Sequence, residues 1–360
     1  MSAPEALELL GPLDQDATLV EASAGTGKTF SIAFLYMRLV AEKGFSVDRI
    51  LVTTFTDAAT KELRERIRSR LLEAKNALSN PTEVPTDPLI SQWLEHLANH
   101  DQCEPLLALR RLRLALVDFD EAPISTLHGF CKRMLAEHAF DSGSSFDQEL
   151  IKNESTLVDT VLDDAWIGAL HNAKADLLQD LEEVFTHADA KKFFKESLRS
   201  SPVHIVDQYV HDEIDSRKMN ANAFAHRFKR ALAVDGRRAL NELKEEAGVM
   251  GYGDLLIRVL EGMPHPDSPL AKKVGGRFDA VLVDEFQDTD PIQCKIIRHA
   301  FDGRAQLYFI GDPKQAIYRF RGGDLDTYLA AKSRVDRIDQ LLDNFRTTPP
   351  LMEGLNRLTQ

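Results

Sequence analysis

Ala22 to Thr29 read Ala-Ser-Ala-Gly-Thr-Gly-Lys-Thr, a run of small residues closed by an amine and a hydroxyl. That spacing suits a nucleoside triphosphate. Small residues let a backbone loop turn tightly, so its N–H groups can cradle phosphate oxygens. Lys28 can reach the β and γ oxygens, and the Thr29 hydroxyl can hold Mg²⁺. The pattern G-x-x-x-x-G-K-[ST] is met everywhere but at its first position, where Ala22 stands. A second group of capable residues lies far down the chain. Asp284-Glu285 closes the apolar run Phe278–Val283; Asp284 suits a Mg²⁺ ligand, and Glu285 a base that polarises an attacking water. Gln315, in Gly-Asp-Pro-Lys-Gln after the next apolar run, can hydrogen-bond a γ-phosphate. Arg346 can stabilise the leaving charge. Each piece has a bland counterpart, a glycine turn before a helix or two solvated acids at a strand end. The pieces gain weight from one another.

Such residues need elements that bring them together. Leu19-Val20 before the loop and the amphipathic segment from Lys28 to about Glu42 give a strand, a turn and a helix in that order. Arg49–Phe55 is a second buried strand, with Asp57 as N-cap of a helix of about five turns. Asn80–Pro88 is a proline-rich linker, and helical periodicity runs from near Leu89 to about Val117. Ile124–Met134 reads as a short strand entering a helix. Past a second linker, Asp141–Ser145, a charged region to about Gly248 is helical throughout, with no strand signal. The α/β pattern returns at Phe278–Val283 and Ala305–Ile310, and a further strand begins near Leu341 with a helix after it. The fold class is therefore α/β, a parallel sheet with an inserted all-α domain. In a parallel sheet the carboxyl ends of the strands gather along one edge, so Asp284 and Glu285 should face Lys28 and Thr29.

Composition narrows the remaining choices. With 360 residues, the chain suits two or three domains with a sizeable core. No apolar run is long enough to span a bilayer, and the N-terminus lacks a basic-then-apolar export signal. Three widely separated cysteines form no metal-ligand pair and fit a reducing cytosol, which places the protein in the cytoplasm. A formal net charge of −13 argues against attraction of nucleic acid to the whole surface, although a local basic channel is compatible with it. Candidates for such a channel are Lys191-Lys192-Lys195, Arg227-Lys229-Arg230 and Arg237-Arg238.

Six stretches occur in a fixed order: Glu21–Thr29, Thr54–Ala59 (Thr-Phe-Thr-Asp-Ala-Ala), Ser125–Cys131 (Ser-Thr-Leu-His-Gly-Phe-Cys), Val283–Gln293, Gly311–Asp324 and Asn344–Arg346. Together they resemble the UvrD/Rep-type superfamily 1A DNA helicases, with wording nearest to the RecB-type members; AddA-type enzymes are the neighbouring alternative. The resemblance implies a RecA-like P-loop NTPase domain, called 1A, over 1–75, 123–139 and 251–337. It implies a helical insertion over 76–122, an all-α insertion (1B) over 140–250, and the start of a second motor domain (2A) over 338–360. ATP and Mg²⁺ would be used by Ala22–Thr29, Asp284, Glu285, Gln315 and Arg346. Phe345 could stack on the adenine, and Phe30, where relatives carry an arginine, would face the core.

For DNA, the resemblance implies contacts from Thr54, Thr126, His128 and Lys132, an aromatic wedge at Phe55, and a stacking platform of Tyr318, Phe320 and Arg321. The implied parent is a 3′-to-5′ DNA helicase and exonuclease subunit acting in double-strand-break repair on single-stranded and duplex-end DNA, with RecC- and RecD-like partner subunits. Later motifs and the nuclease of that family are not among these residues. The chain therefore reads as an N-terminal motor piece that alone hydrolyses ATP weakly or not at all. The competing reading is a non-catalytic module that binds single-stranded DNA or a partner.

Overall fold

The computed structural model describes residues 5–6, 8–80, 82–99, 103–137, 148–151, 153–171, 173–199, 220–316, 325–342, 347, 351 and 357. They divide into two compact units, one of 1–143 with 259–360 and one of 144–258.

The first unit is built on a parallel sheet. Its strands are β1 (Glu5–Ala6), β2 (Ala17–Ala22), β3 (Ile50–Thr54), β4 (Ile124–Thr126), β7 (Ala280–Val283), β8 (Gln306–Gly311) and β9 (Arg337–Leu341). β5 and β6 belong to the second unit. The spatial order is β1-β9-β2-β8-β7-β3-β4, with every pair parallel. β3 and β7 are buried along their whole length, as apolar runs covered on both faces must be. β2 and β3 are consecutive strands, yet β8 and β7 lie between them. The crossover through α1 (Lys28–Arg38) therefore passes two strands. The registers Val20↔Ile310, Leu282↔Tyr308 and Val52↔Leu282 align the carboxyl ends of these four strands on one edge.

Residues Ser31 to Arg38 of α1 are all buried, packed in one core with α2 (Asp57–Ser79), α3 (Pro88–Asn99) and α4 (Pro105–Val117). A buried polar network closes the far end of α1. Arg38 donates to both oxygens of Glu42 (2.6 and 2.8 Å) and to the carbonyls of Leu9 and Gly11. Trp93 Nε1 donates to Glu42 Oε1 at 2.8 Å, tying α3 to the same carboxylate. Each buried polar group finds a partner, which is the condition for leaving it in a core. The expected helical run from 89 to 117 is two helices, α3 and α4. The N-cap of α2 is Thr56, whose hydroxyl accepts from Ala59 N at 3.1 Å, and Asp57 is the first helical residue. The last strand starts at Arg337, before Leu341, and lies inside the main sheet beside β2. The boundary expected at 338 thus falls within this sheet.

The second unit holds α6 (Ser155–Leu170), α7 (Ala175–Val184), α8 (His187–Arg199), α9 (Ala221–Ala231) and α10 (Arg237–Glu246). Helix α11 (Tyr252–Gly262) begins in it. The aromatic rings of Trp166, Phe185, Phe224 and Phe228 pack edge-on and stacked in its core, with Phe194 fully buried. The unit is not all-α. β5 (Glu149–Ile151) and β6 (Val249–Gly251) form a two-stranded parallel sheet that joins its first and last residues. Three-residue strands carry too short a pattern to read from sequence. In the first unit α5 (Leu127–Glu137) follows β4, α12 (Pro269–Gly275) precedes β7, α13 (Pro291–Phe301) follows it, and α14 (Leu325–Lys332) precedes β9.

Candidate functional site

The loop between β2 and α1 is shaped by its glycines. Gly25 (φ 82°) and Gly27 (φ 89°) adopt the left-handed region that a side chain disfavours, and Gly27 is the residue from which α1 starts. Thr26 is buried, and its hydroxyl donates to the Ser23 carbonyl at 2.8 Å, closing the turn from within. Ala22 is buried at the end of β2, while Ser23 and Ala24 are exposed. Lys28 and Thr29 then stand in the first turn of α1, where the N–H groups without helical partners point outward.

Opposite this loop, β7 ends in a tight turn. Phe286 is buried against Phe309 (ring centroids 4.4 Å apart) and Tyr328, and pins the turn into the core. Glu285 takes a left-handed backbone (φ 52°), the only non-glycine among the described residues to do so. That turn directs its carboxylate at the loop: Lys28 Nζ lies 2.7 Å from Glu285 Oε2. Two residues 257 positions apart in sequence thus meet in a partly buried ion pair.

Asp284 is half-buried beside them, and its Oδ1 accepts the Glu285 N–H at 2.9 Å. Burial pushes its carboxyl up, the charge of Glu285 adds to this, and Lys28 opposes it; the outcome is about 6. Asp288 is buried, is likewise pushed up to about 6 by burial and then by Glu285, and its Oδ1 has no partner among the described residues. A cation beside Asp284 and the Thr29 hydroxyl would favour the ionised carboxylate. Among the described residues no cluster of three or more His, Cys, Asp or Glu forms a metal cage. Hard oxygen donors in small number fit Mg²⁺, which takes one or two protein ligands and completes its shell with phosphate and water.

Gln315 sits in the short helical turn after β8, its Nε2 donating to Asp312 Oδ2 at 2.6 Å. Glu21, next to the loop, accepts from Lys332, Gln340 and Tyr328. Burial alone would raise its carboxyl, but the bonds and charge of Lys332, with Gln340 and Tyr328, outweigh that and hold it below the usual value. Phe30 is half-buried, and the Arg70 guanidinium covers its ring at 4.4 Å. Arg346, Phe345, Tyr318, Phe320 and Arg321 lie outside the described residues.

On the other side of the sheet edge, Thr54 stands opposite Thr126 in the β3–β4 register. Thr54 is buried, and its hydroxyl lies 2.7 Å from Thr60 Oγ1 and donates to the Thr56 carbonyl at 3.1 Å, closing the β3–α2 turn. The Thr126 hydroxyl accepts from Gly129 N at 3.1 Å, capping α5. Phe55 and His128 are half-buried and Lys132 is exposed. Burial lowers His128 below the ordinary histidine value, so it is neutral near pH 7.

In the second unit most of the basic clusters have structural partners. Lys191 pairs with Asp159 at 2.7 Å, Lys229 lies over the rings of Phe185 and Phe193, Arg237 donates to the Ser197 carbonyl, and Arg238 pairs with Asp235.

The UvrD/REP helicase N-terminal domain model matches residues 4–336. The chain belongs to that family. A UvrD/REP helicase N-terminal domain is a RecA-like α/β motor domain that binds nucleotide with a divalent metal, in keeping with the parallel sheet and loop described above. Curated relatives include the RecBCD enzyme subunit RecB of Mycobacterium tuberculosis, 36% identical over 97% of this chain and 30% of the relative. The Escherichia coli K12 RecBCD enzyme subunit RecB is 31% identical over 98% of this chain and 39% of the relative. The chain thus spans roughly a third of the length of these relatives. Among the described residues, no helix is long and apolar enough to cross a membrane.

Three residues of the site escaped sequence reading: Gln287, Asp312 and Arg70. Gln287 is buried and bonded to Glu285, and Asp312 receives Gln315. Both lie in stretches that carry the family resemblance, but nothing local gives either a role of its own. Their position on the sheet edge is what matters.

Proposed function

We propose that this chain is the ATP-binding half of a RecB-type DNA helicase motor. The observation that carries the reading is the 2.7 Å contact between Lys28 and Glu285, which supports a phosphate loop and a water-activating carboxylate facing one another across the sheet edge. In this reading the backbone of Ala22–Gly27 cradles the phosphates and Lys28 takes the β and γ oxygens. Thr29 and Asp284 hold Mg²⁺, which screens phosphate charge when bound. Glu285 orients and deprotonates the attacking water, and Gln315 meets the γ-phosphate. Arg346 supplies positive charge on the leaving side, and Phe345 stacks on the base. Thr54, Phe55, Thr126, His128 and Lys132, with Tyr318, Phe320 and Arg321, line the path of single-stranded DNA. The whole protein would be a 3′-to-5′ helicase and exonuclease subunit working at duplex ends in double-strand-break repair, in the cytoplasm with RecC- and RecD-like subunits.

Lys28→Ala tests the site directly. Fluorescent-ATP binding in Mg²⁺ should weaken by at least about tenfold, since charge-assisted bonds to phosphate are the strong class. The circular dichroism spectrum should not change. Unaltered affinity would contradict the reading.

A further inference from the structure

Glu285 and Gln315 leave different strands, β7 and β8, and one side chain joins them. Gln287 is 2% exposed. Its Nε2 donates to Glu285 Oε2 at 2.8 Å, the same oxygen that Lys28 holds, and its Oε1 accepts from the backbone N of Asp312 at 2.9 Å. Asp312 continues the chain. Its Oδ1 accepts from Lys314 N at 3.0 Å and its Oδ2 from Gln315 Nε2 at 2.6 Å. The amide cannot be turned over, because that would set its oxygen against a carboxylate and its NH₂ against an N–H. A carboxylate could accept from Asp312 but could not donate to Glu285, and an aliphatic side chain could do neither. Space is reserved for this amide: a Cβ at Gly311 would stand 2.5 Å from Gln287 Oε1.

We infer that Gln287 is a positioning residue that couples Glu285 to the Asp312–Gln315 loop. The inference rests on the nucleotide-site reading above. A shift of that loop, when Gln315 exchanges Asp312 for a γ-phosphate oxygen, is passed through the Asp312 N–H and the amide to the Glu285 carboxylate. The water-orienting group is thereby set only when the third phosphate is present. Removing Gln287 should cost discrimination between triphosphate and diphosphate and leave general nucleotide affinity alone.

The test uses the full chain, with a fluorescent non-hydrolysable ATP analogue and fluorescent ADP titrated in Mg²⁺. Gln287→Leu cuts the bonds to Glu285 and Asp312, with the longer 3.4 Å one to Asp288 Oδ2, at similar volume, and Gly311→Ala displaces the amide without removing it. Each should lower the triphosphate-to-diphosphate affinity ratio about fivefold to tenfold, the scale of one ordinary net hydrogen bond. ADP affinity should stay within about twofold. In a Gln315→Ala background, Gln287→Leu should change the ratio by less than about twofold, because the relay is already cut. A packing role alone would weaken both nucleotides together or add its full effect in the Gln315→Ala background, and either result overturns the coupling. If Gln287→Leu does not fold, an unchanged ratio in folded Gly311→Ala overturns it equally. A wild-type preference that both variants leave intact sinks the coupling alone. A wild-type chain that binds neither nucleotide sinks the site reading beneath it as well.

Discussion

Asp284 is held where an ionised carboxylate is disfavoured, by burial first and then by Glu285, against the pull of Lys28. Its ordinary value is 3.8 and its folded value about 6. A folded value above the unfolded one means that the native state binds more protons between them. Stability contributed by this group is therefore present below about pH 4, falls as pH rises to about 6, and stays lost above it. Asp284→Asn removes that penalty. In metal-free buffer it should raise stability at pH 8 by about 1–2 kcal/mol, allowing for the group's partial exposure, with no gain at pH 4. Thermal melts at the two pH values check this, and equal melting points at pH 8 would contradict it. On the face proposed to meet DNA, burial keeps His128 neutral while Lys132 is exposed. Lys132→Ala should therefore reduce the slope of log affinity for single-stranded DNA against log salt by about 0.7, the share of one released counterion, and His128→Gln should leave it unchanged.

At the scale of elements, the small β5–β6 sheet shows how a few residues tie together distant parts of a helical unit. Lys244 of α10 is 5% exposed and bridges Glu154, at the start of α6, and Asp254, in the first turn of α11 (2.5 and 2.7 Å). Asp254 also accepts from Gly251 N at the end of β6. Lys244→Met keeps the buried stem but leaves two acids facing one another. Breaking one partner out of a buried ionic group typically costs about 3–5 kcal/mol, and the melting of this unit should fall accordingly. A melting point within about 2 °C of wild type would show that water reaches the triad. The helix start at Thr56 teaches a related lesson. Thr56 and Asp57 are both good capping residues, and the extended backbone of Thr56 decides between them.

At the scale of the molecule, the described residues give the first unit a core around α1 to α4 and one face of the sheet, with further buried packing among Phe130, Phe278 and Phe301, and give the second unit its own core around Trp166, Phe194, Phe224 and Phe228. Separate cores allow separate cooperative transitions. Phe224 is fully buried and stacks on Phe228 at 5.5 Å. Phe224→Ala should destabilise the second unit by about 3–5 kcal/mol through lost burial and a cavity. Calorimetry should then show one transition moved and the other in place, with ATP affinity within about twofold of wild type. A joint shift of both transitions would mean that the two cores melt as one.

The phosphate loop was legible because its chemistry is local: eight consecutive residues supply the glycines, the amine and the hydroxyl. The apolar strands and the parallel α/β class were legible for the same reason, since burial on both faces leaves continuous runs in the chain. Six ordered stretches also sufficed to point to the family. What tertiary structure alone decided is everything that spans the sheet. That Asp284 and Glu285 face Lys28 followed from the parallel sheet, but the 2.7 Å pair between residues 28 and 285 depends on the register of β2, β8 and β7, which no pattern within either segment records. The same holds for Gln287, whose amide oxygen receives the Asp312 N–H only when the ends of β7 and β8 lie side by side. Thr54 gains a second partner in the same way: its hydroxyl meets that of Thr60 only once the β3–α2 turn closes. Sequence specifies which groups a segment offers, and the packed sheet edge determines which of them still have a hydrogen-bonding capacity to give.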